Sequence, residues 1–369
     1  MTEYKRLGDY IRPVDVRNRD LKINLSQGIC NAKYFQNPKQ VADNPQTHKV
    51  VRTGQFAYNR ATTRNGEKIS IALREGPDCT VSSAYQVFEI IDENLLNPRY
   101  LMMWFKRPEF DRLAIFYSHG SAHEFFEWDA MCDVMLPIPS ITLQREIVEE
   151  YETLTNRIRL NNQMIQHLEA TAQALYRKMF VDGIDKENLP EGWRMGTLGE
   201  AATCLDYKRK PLSEDERKPI KGIYPYYGAM SVVDHINQYI FDGTYLLFSE
   251  DGANVIDENG HPALQYLWGK FWVNNHAHVL QGNEIVSTEY LYMTLKEVNA
   301  THLVTGAAQP KINQENMNSI QLVIPSKENM DEFNKNVNSI FNYYKIATEE
   351  NIKLTELQSL LLAKMGQKY

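Results

Sequence analysis

Residues 142–179 read TLQREIVEEYETLTNRIRLNNQMIQHLEATAQALYRKM, with neither Pro nor Gly. Within this run Ile147, Tyr151, Leu154, Ile158, Asn161, Ile165, Leu168, Ala172, Leu175 and Met179 follow one another in alternating steps of four and three. That is the spacing of a coiled-coil seam, not of a 3.6-residue core face. At about 1.5 Å per residue, one continuous helix here spans roughly 55–57 Å. A helix so long and thin is not stable alone and needs a partner along its length.

The end of the chain supplies that partner. Shifted by 186 residues, Gly120 falls on Gly306, Met131 on Met317 and Pro139 on Pro325. The seam then falls on Phe333, Val337, Ile340, Tyr344, Ala347, Asn351, Leu354, Gln358, Leu361 and Met365. The shift holds without a gap over about 60 residues, ending on Leu175-Tyr-Arg-Lys-Met179 against Leu361-Leu-Ala-Lys-Met365. A shared seam, turn and proline anchor indicate an internal duplication. The fold expected is α+β: two lobes related by a pseudo-twofold axis and separated by two long antiparallel coiled-coil helices. The expected boundaries are 1–140 for the first lobe, 141–180 for the central helix, 181–325 for a linker and second lobe, and 326–369 for the distal helix. End-to-end alignment places Asn161 opposite Asn351 and Ile165 opposite Ala347. A polar pair inside an apolar seam fixes register at some cost in stability.

The 369 residues are 43% apolar and 24% charged, values of a globular chain with two or three domains. No apolar run approaches 18 residues, and the opening MTEYKRLGDY is polar, so neither a membrane span nor a secretory leader is expected. Cys30, Cys79, Cys132 and Cys204 are scattered without CxxC spacing, as reduced thiols of a cytoplasmic protein are. The net charge of -7 excludes a globally basic nucleic-acid binder. Residues 180–325 hold 11 basic and 19 acidic side chains, whereas residues 1–143 hold 18 and 17. A polyanionic partner must therefore be met by local basic loops.

Such loops exist. The turn Asn59-Arg60-Ala-Thr-Thr-Arg64-Asn-Gly66 is cationic and closed by glycine. Its Asn59, Arg60 and Arg64 are the residue types that contact phosphates and base edges. Each lobe also carries a basic arm after a Leu-Gly pair, Leu7-Gly8 and Leu198-Gly199. In the second arm Lys208, Arg209 and Lys210 precede Arg217, Lys218 and Lys221, with Glu214-Asp-Glu216 between them, which also suits a solvated mixed-charge loop. Gln309 and Lys311 belong to a loop over residues 305–313 that matches 118–122 in the first lobe. The second-lobe counterpart of the cationic turn, Ser249-Glu-Asp, is acidic, so the two lobes are expected to read different surfaces.

Catalytic patterns are faint. Asn97-Pro98-Arg99-Tyr100 is one letter from the NPPY tetrapeptide of DNA amino-methyltransferases, but no Gly-rich cofactor strand accompanies it. An N-cap followed by Pro at the first helical position explains these residues fully. There is no GxxxxGK[ST]. Pro77-Asp78 precedes Glu89 at a nuclease-like distance, yet Ile91 stands where a catalytic Lys is required. His276-Ala-His278 places two imidazoles on one face of a strand, with no third metal ligand nearby in sequence, and favours a structural or DNA-facing role over a metal site.

The chain resembles the specificity subunits of type I restriction-modification enzymes. The residues carrying the resemblance are the Pro137-x-Pro139 exit, Gln144-Arg-Glu-Ile-Val148, Ala170-Thr-Ala-Gln-Ala-Leu175-Tyr, Leu189-Pro-Glu-Gly-Trp193 followed by Leu198-Gly199, and Gly306-Ala-Ala-Gln-Pro-Lys-Ile-Asn313. They occur across essentially the whole chain and in the right order. The resemblance implies two target-recognition domains, each reading half of a split, asymmetric site in double-stranded DNA. It implies two methylation subunits as partners and, for cleavage, two restriction subunits. It leaves this chain without a catalytic centre, metal or cofactor, because S-adenosylmethionine, ATP and magnesium belong to those partners. The helix pair then serves as a ruler of roughly 50–57 Å, near 15–17 base pairs at about 3.4 Å each. DNA contact is expected from Asn59, Arg60, Arg64, Lys208, Arg209, Lys210, Gln309 and Lys311. The rival readings are a stand-alone DNA adenine methyltransferase working at residues 97–100, and a coiled-coil scaffold that touches no DNA. Gln144 has Met330 opposite it in the repeat, so the two partner contacts need not be alike.

Overall fold

A computed structural model describes residues 4–38, 44–61, 68–118, 124–252, 255–306 and 309–366. The chain forms two units, Met1–Asn161 with Glu350–Tyr369, and Asn162–Glu349.

In the first unit the strands are β1 (Tyr4–Arg6), β2 (Ile11–Val14), β3 (Gly28–Ile29), β4 (Phe35–Gln36), β5 (Lys49–Val51), β6 (Phe56–Asn59), β7 (Ile71–Leu73), β8 (Cys79–Val81), β9 (Tyr85–Ile90) and β10 (Met135–Pro137). The helices are α1 (Pro98–Phe105), α2 (Pro108–Phe116), α3 (Trp128–Cys132) and the first half of α4 (Ile141–Phe180). The central sheet has the order β2-β9-β6-β7 and is antiparallel throughout. Alternation along β6 sorts its side chains. Phe56 and Tyr58 enter the main core, where Phe56 stacks on Phe88 at 4.9 Å, while Ala57 faces a smaller core with Val51, Cys79 and Val87. α1 begins as its sequence demands: the Asn97 Oδ1 accepts from the Arg99 and Tyr100 amides, with Pro98 at the first position. The Tyr100 hydroxyl donates to the Pro137 carbonyl at 3.0 Å and ties the helix to β10. Gln144, fully buried in the first turn of α4, donates to the Leu95 and Pro139 carbonyls and accepts from the Asn97 amide.

The second unit contains β11 (Arg194–Thr197), α5 (Leu198–Ala201), β12 (Ala202–Cys204), α6 (Glu214–Arg217), β13 (Lys221–Tyr227), β14 (Val232–Ile236), β15 (Phe241–Ser249), β16 (Leu264–Val273), β17 (Ala277–Gly282), α7 (Thr288–Leu295), α8 (Gln314–Asn318), β18 (Gln321–Ile324) and the first part of α9 (Lys327–Lys364). Its sheet has the order β12-β17-β15-β16-β13-β14. The first four strands repeat the order of the first unit, and β13 joins β16 in parallel. The β1–β10 pair recurs as β11–β18, both antiparallel. α3 and α8 are both five residues long and stand 186 apart, while α1 and α7 are both eight long. The Tyr290 hydroxyl bonds the Val323 carbonyl at 2.7 Å, as Tyr100 bonds Pro137.

α4 is one helix of 40 residues and α9 one of 38. Each unit takes its lobe together with one part of both helices. In the first unit the start of α4 runs against the end of α9: Gln358 donates to the Thr155 hydroxyl at 2.7 Å, and Arg157 grips Glu350 with two bonds of 2.9 and 3.0 Å. In the second the end of α4 meets the start of α9, with Phe180 5.4 Å from Phe333. The pairing is therefore antiparallel in each. Every seam position is shielded: Ile147, Leu154, Ile158, Asn161, Ile165, Leu168 and Leu175 on α4, and Ile340, Asn351, Leu354 and Leu361 on α9, are all buried or half-buried. One detail adds to the expected register at Asn351. Asn161, 1% exposed, donates at 2.8 Å to Glu350, the residue before Asn351. The carboxylate of Glu350 thus satisfies a buried amide within the seam.

Candidate nucleic-acid interface

The second unit gathers its charged residues at one end of the sheet. β15 ends in Ser249, which delivers Glu250; β17 begins beside it and carries His278; the arm after β12 turns back with Asp206 and Arg209; the loop before α8 brings Lys311. Arg209 Nη1 lies 2.7 Å from Glu250 Oε2, and Nη2 3.0 Å from Asp206 Oδ2. Lys311 Nζ lies 2.8 Å from Glu250 Oε1. The ring nitrogens of His278 face two acceptors, Asp206 Oδ2 at 2.6 Å and the Ile312 carbonyl at 2.9 Å. Asp206 Oδ1 takes the Val279 amide at 2.9 Å.

Burial pushes the Asp206 carboxyl up, but the His278 and Val279 hydrogen bonds and the Arg209 charge outweigh it and hold it below its ordinary value. Glu250 behaves alike: burial raises it, and Lys311 and Arg209 bring it below the usual range. The bond to Glu250 raises Lys311. Asp206, Glu250 and His278 have metal-ligating atoms within 4.8 Å of one another. All four of their carboxylate oxygens are engaged by protein donors, so the arrangement is a cross-linked charge cluster that ties the arm, two strands and the 305–313 loop into one surface.

This places the expected residues. Arg209 is turned inward, its side chain 13% exposed, and Lys311 is paired though half-exposed. Lys208 and Lys210 flank Arg209 and are exposed, with the charge of Lys210 felt by the Glu216 carboxyl; Lys208 lies over the exposed Tyr207 ring at 5.7 Å. Lys210 is held by its carbonyl, which accepts from Trp272 Nε1 at 2.6 Å. Gln309 is exposed beside Gly306, whose φ of +85° suits glycine and where a Cβ would collide with the Gln309 carbonyl. Arg217 and Lys221 share Asp234, and Lys218 pairs with Asp215. Of the arm's cations, Lys208 and Lys210 make no carboxylate contact within salt-bridge distance among the described residues, although the charge of Lys210 acts on Glu216.

In the first unit Asn59 closes β6 and its Oδ1 accepts from the Ala61 amide at 3.1 Å. Arg60 reaches Glu127 at 3.3 Å and remains partly exposed. Arg64 lies outside the described residues. Asn97–Tyr100 is a helix cap whose side chains are committed: Arg99 bridges Glu75 and Glu152, and Tyr100 is buried. The adenine-methyltransferase reading thus loses its residues. His276 sits before β17 and bonds Asp251 at 2.8 Å, so the two histidines do not share a strand face. Sequence reasoning missed Asp206 and Glu250, which reach His278 from 72 and 28 positions away. The one signal was the polar Ser249-Glu-Asp at the end of an apolar run.

The first unit also has a groove of about 750 Å³ along its helix pair, lined by Glu146, Glu149, Glu150 and Lys364 together with leucines that include Leu154, Leu357 and Leu360. Leu357 and Leu360 are half or more exposed. No helix among the described residues is long and apolar enough to cross a membrane.

Residues 190–359 match the family model described as the type I restriction modification DNA specificity domain. A putative type I restriction enzyme specificity subunit of Haemophilus influenzae is 32% identical over 143 residues, 38% of this chain and 35% of that one. The chain thus spans about a third of that relative. The HindI type I restriction enzyme specificity subunit of the same organism is 22% identical over 435 aligned positions, covering 93% of this chain and 92% of that one. The crystal structure of a type I restriction-modification system S subunit from M. genitalium shares the fold, with a TM-score of 0.60 at 14% identity, over 99% of this chain and 96% of that one.

Proposed function

We propose, from the premise that this chain belongs to the specificity subunits of type I restriction-modification enzymes, that it is the non-catalytic DNA-reading subunit of such an enzyme. Its two lobes, related by a pseudo-twofold axis, each read half of a split, asymmetric site. The observation that carries this is the repeated strand order β2-β9-β6-β7 and β12-β17-β15-β16, two frames of one design bearing different charged loops. Two equivalent frames with unlike loops suit two unlike half-sites. The helix pair sets the spacing between them.

In the second lobe Lys208 and Lys210 supply phosphate contacts, with Gln309 placed for a base edge; Asn59, Arg60 and Arg64 do the same in the first. Two methylation subunits dock on the helix pair and two restriction subunits join for cleavage. Three glutamates against one lysine, with several leucines, in the lining of the groove on the first unit suit a basic, apolar helix of a methylation subunit. S-adenosylmethionine, ATP and magnesium bind to those partners, and the assembly works in the cytoplasm.

Mapping methylated adenines in a host genome with and without this gene tests the reading. A two-part motif that disappears with the gene is expected; an unchanged methylation map overturns it. Leu360→Asp, at an exposed position, should strip a methylation subunit from the co-purified complex, and full retention would remove the groove from the docking surface.

A further inference from the structure

We infer that Glu250 is a positioning residue that keeps Lys311 off the DNA backbone, so that the second lobe grips any duplex more weakly than its count of exposed-loop cations would give. The inference rests on the DNA-reading function proposed above.

Glu250 is the hub of the cluster. One oxygen is held by Arg209 and the other by Lys311, and the side chain is 12% exposed. A carboxylate this enclosed loses much if a partner leaves, because water cannot replace the missing charge. Lys311 is the partner able to leave: its side chain is 46% exposed, whereas Arg209 is enclosed and also bonds Asp206 and the Ala277 carbonyl. Lys311 is held in place by its backbone too. Its amide and carbonyl pair with Thr305, and the next amide, of Ile312, donates to the Glu250 carbonyl. The ammonium therefore stands on the same loop as exposed Gln309, near enough to the proposed reading surface to matter, yet its charge is spent on Glu250.

A lysine that neutralises a phosphate releases a counterion and steepens the dependence of log K on log salt by about 0.9. A lysine already neutralised by a buried carboxylate does not. Phosphate contacts strengthen binding to all sequences alike, so freeing Lys311 would raise affinity for target and non-target DNA together. Glu250 thereby limits the time the subunit spends on the wrong DNA.

The experiment uses the chain co-expressed with its methylation subunit, and two duplexes, one bearing the motif mapped in the genome and one with that motif scrambled. Binding is read from about 50 to 200 mM salt. Glu250→Gln, with melting traces confirming a folded complex, is expected to steepen the salt slope by about 0.9 on both duplexes. Adding Lys311→Gln is expected to remove that increment. A slope unmoved by Glu250→Gln, or an increment that survives Lys311→Gln, overturns the inference while leaving the DNA-reading function standing. A wild-type complex with no preference for the mapped duplex removes that function and the inference with it. Should Glu250→Gln fail to fold, Lys311→Gln alone decides: a slope lowered by less than half of 0.9 supports the inference, and one lowered by the full 0.9 shows the lysine already on phosphate and overturns it.

Discussion

The first lobe ends its sheet at β7, whereas the second continues past the equivalent strand β16 with β13 and β14. Up to that edge the lobes agree strand for strand, and each tyrosine that ties a helix to its exit strand has its twin. Beyond it they share little. In the first lobe the segment between β2 and β6 makes the small sheet β3–β4 and supplies β5, which pairs with β8 from beyond β7, and the two help pack a separate minor core. In the second the corresponding segment wraps Leu212 and Ile220 over Tyr226, Ile236 and Trp272 and then adds a hairpin to the sheet. What the chain holds constant is the frame that meets the helices; what it varies is the arm and loops on that frame. Divergence in that pattern is what the proposed reading of two unlike half-sites requires.

Exchange of a whole lobe puts this contrast under the greatest load. On the proposed function, replacing residues 196–325 with the corresponding lobe of one of the specificity subunits this chain resembles should change one half of the methylated motif and leave the other half intact. Sequencing of methylated adenines reads this, and a change in both halves would show that the lobes do not act separately. A smaller effect tests the helix starts. Gln144 satisfies three partly buried backbone groups in the first unit, while its counterpart Met330 is apolar core in the second. Gln144→Met leaves those groups orphaned and should cost about 3 kcal/mol in chemical denaturation. A loss below about 1 kcal/mol would mean that the first turns of α4 and α9 are interchangeable.

The smallest effect concerns acid. Hydrogen bonds from Arg157, then Asn161, hold the Glu350 carboxyl below its ordinary value of 4.5. The unfolded chain therefore takes up its proton first. Stability from this group is fully present above about pH 4.5 and is lost as pH falls through the lower folded value. Arg157→Met should flatten the acid side of the melting-temperature profile, and an unaltered profile would show that exposure screens the pair completely.

The seam was legible because a 3.5-residue repeat without Pro or Gly has few alternative folds, and because the same pattern recurs 186 residues later. The cap at Asn97 was legible for a similarly local reason. β16 was not: Leu264–Val273 reads LQYLWGKFWV, apolar on both faces, and nothing in such a run tells which neighbours it takes. α2 follows α1 after two residues, and Pro108 at its first position resembles a terminator as much as a start. The charge cluster escaped because its members come from four segments, Asp206 with Arg209, Glu250, His278 and Lys311, and no spacing rule links them. Reading Lys208, Arg209 and Lys210 as equivalent also overlooked that adjacent residues point apart, so the middle one turns inward while its neighbours stay exposed. The bond from Asn161 to Glu350, beside Asn351, was not legible because a heptad gives positions and not side-chain partners.

Met365 lies fully buried in the first core among residues that begin with Leu7, and the Tyr4 hydroxyl bonds the Gly366 carbonyl at 2.9 Å. A ribosome making this chain has already released the strands of the first lobe long before it reaches residue 350. That lobe must therefore wait, incompletely closed, through translation of the entire second one, and the lobe made later has all its parts in hand first.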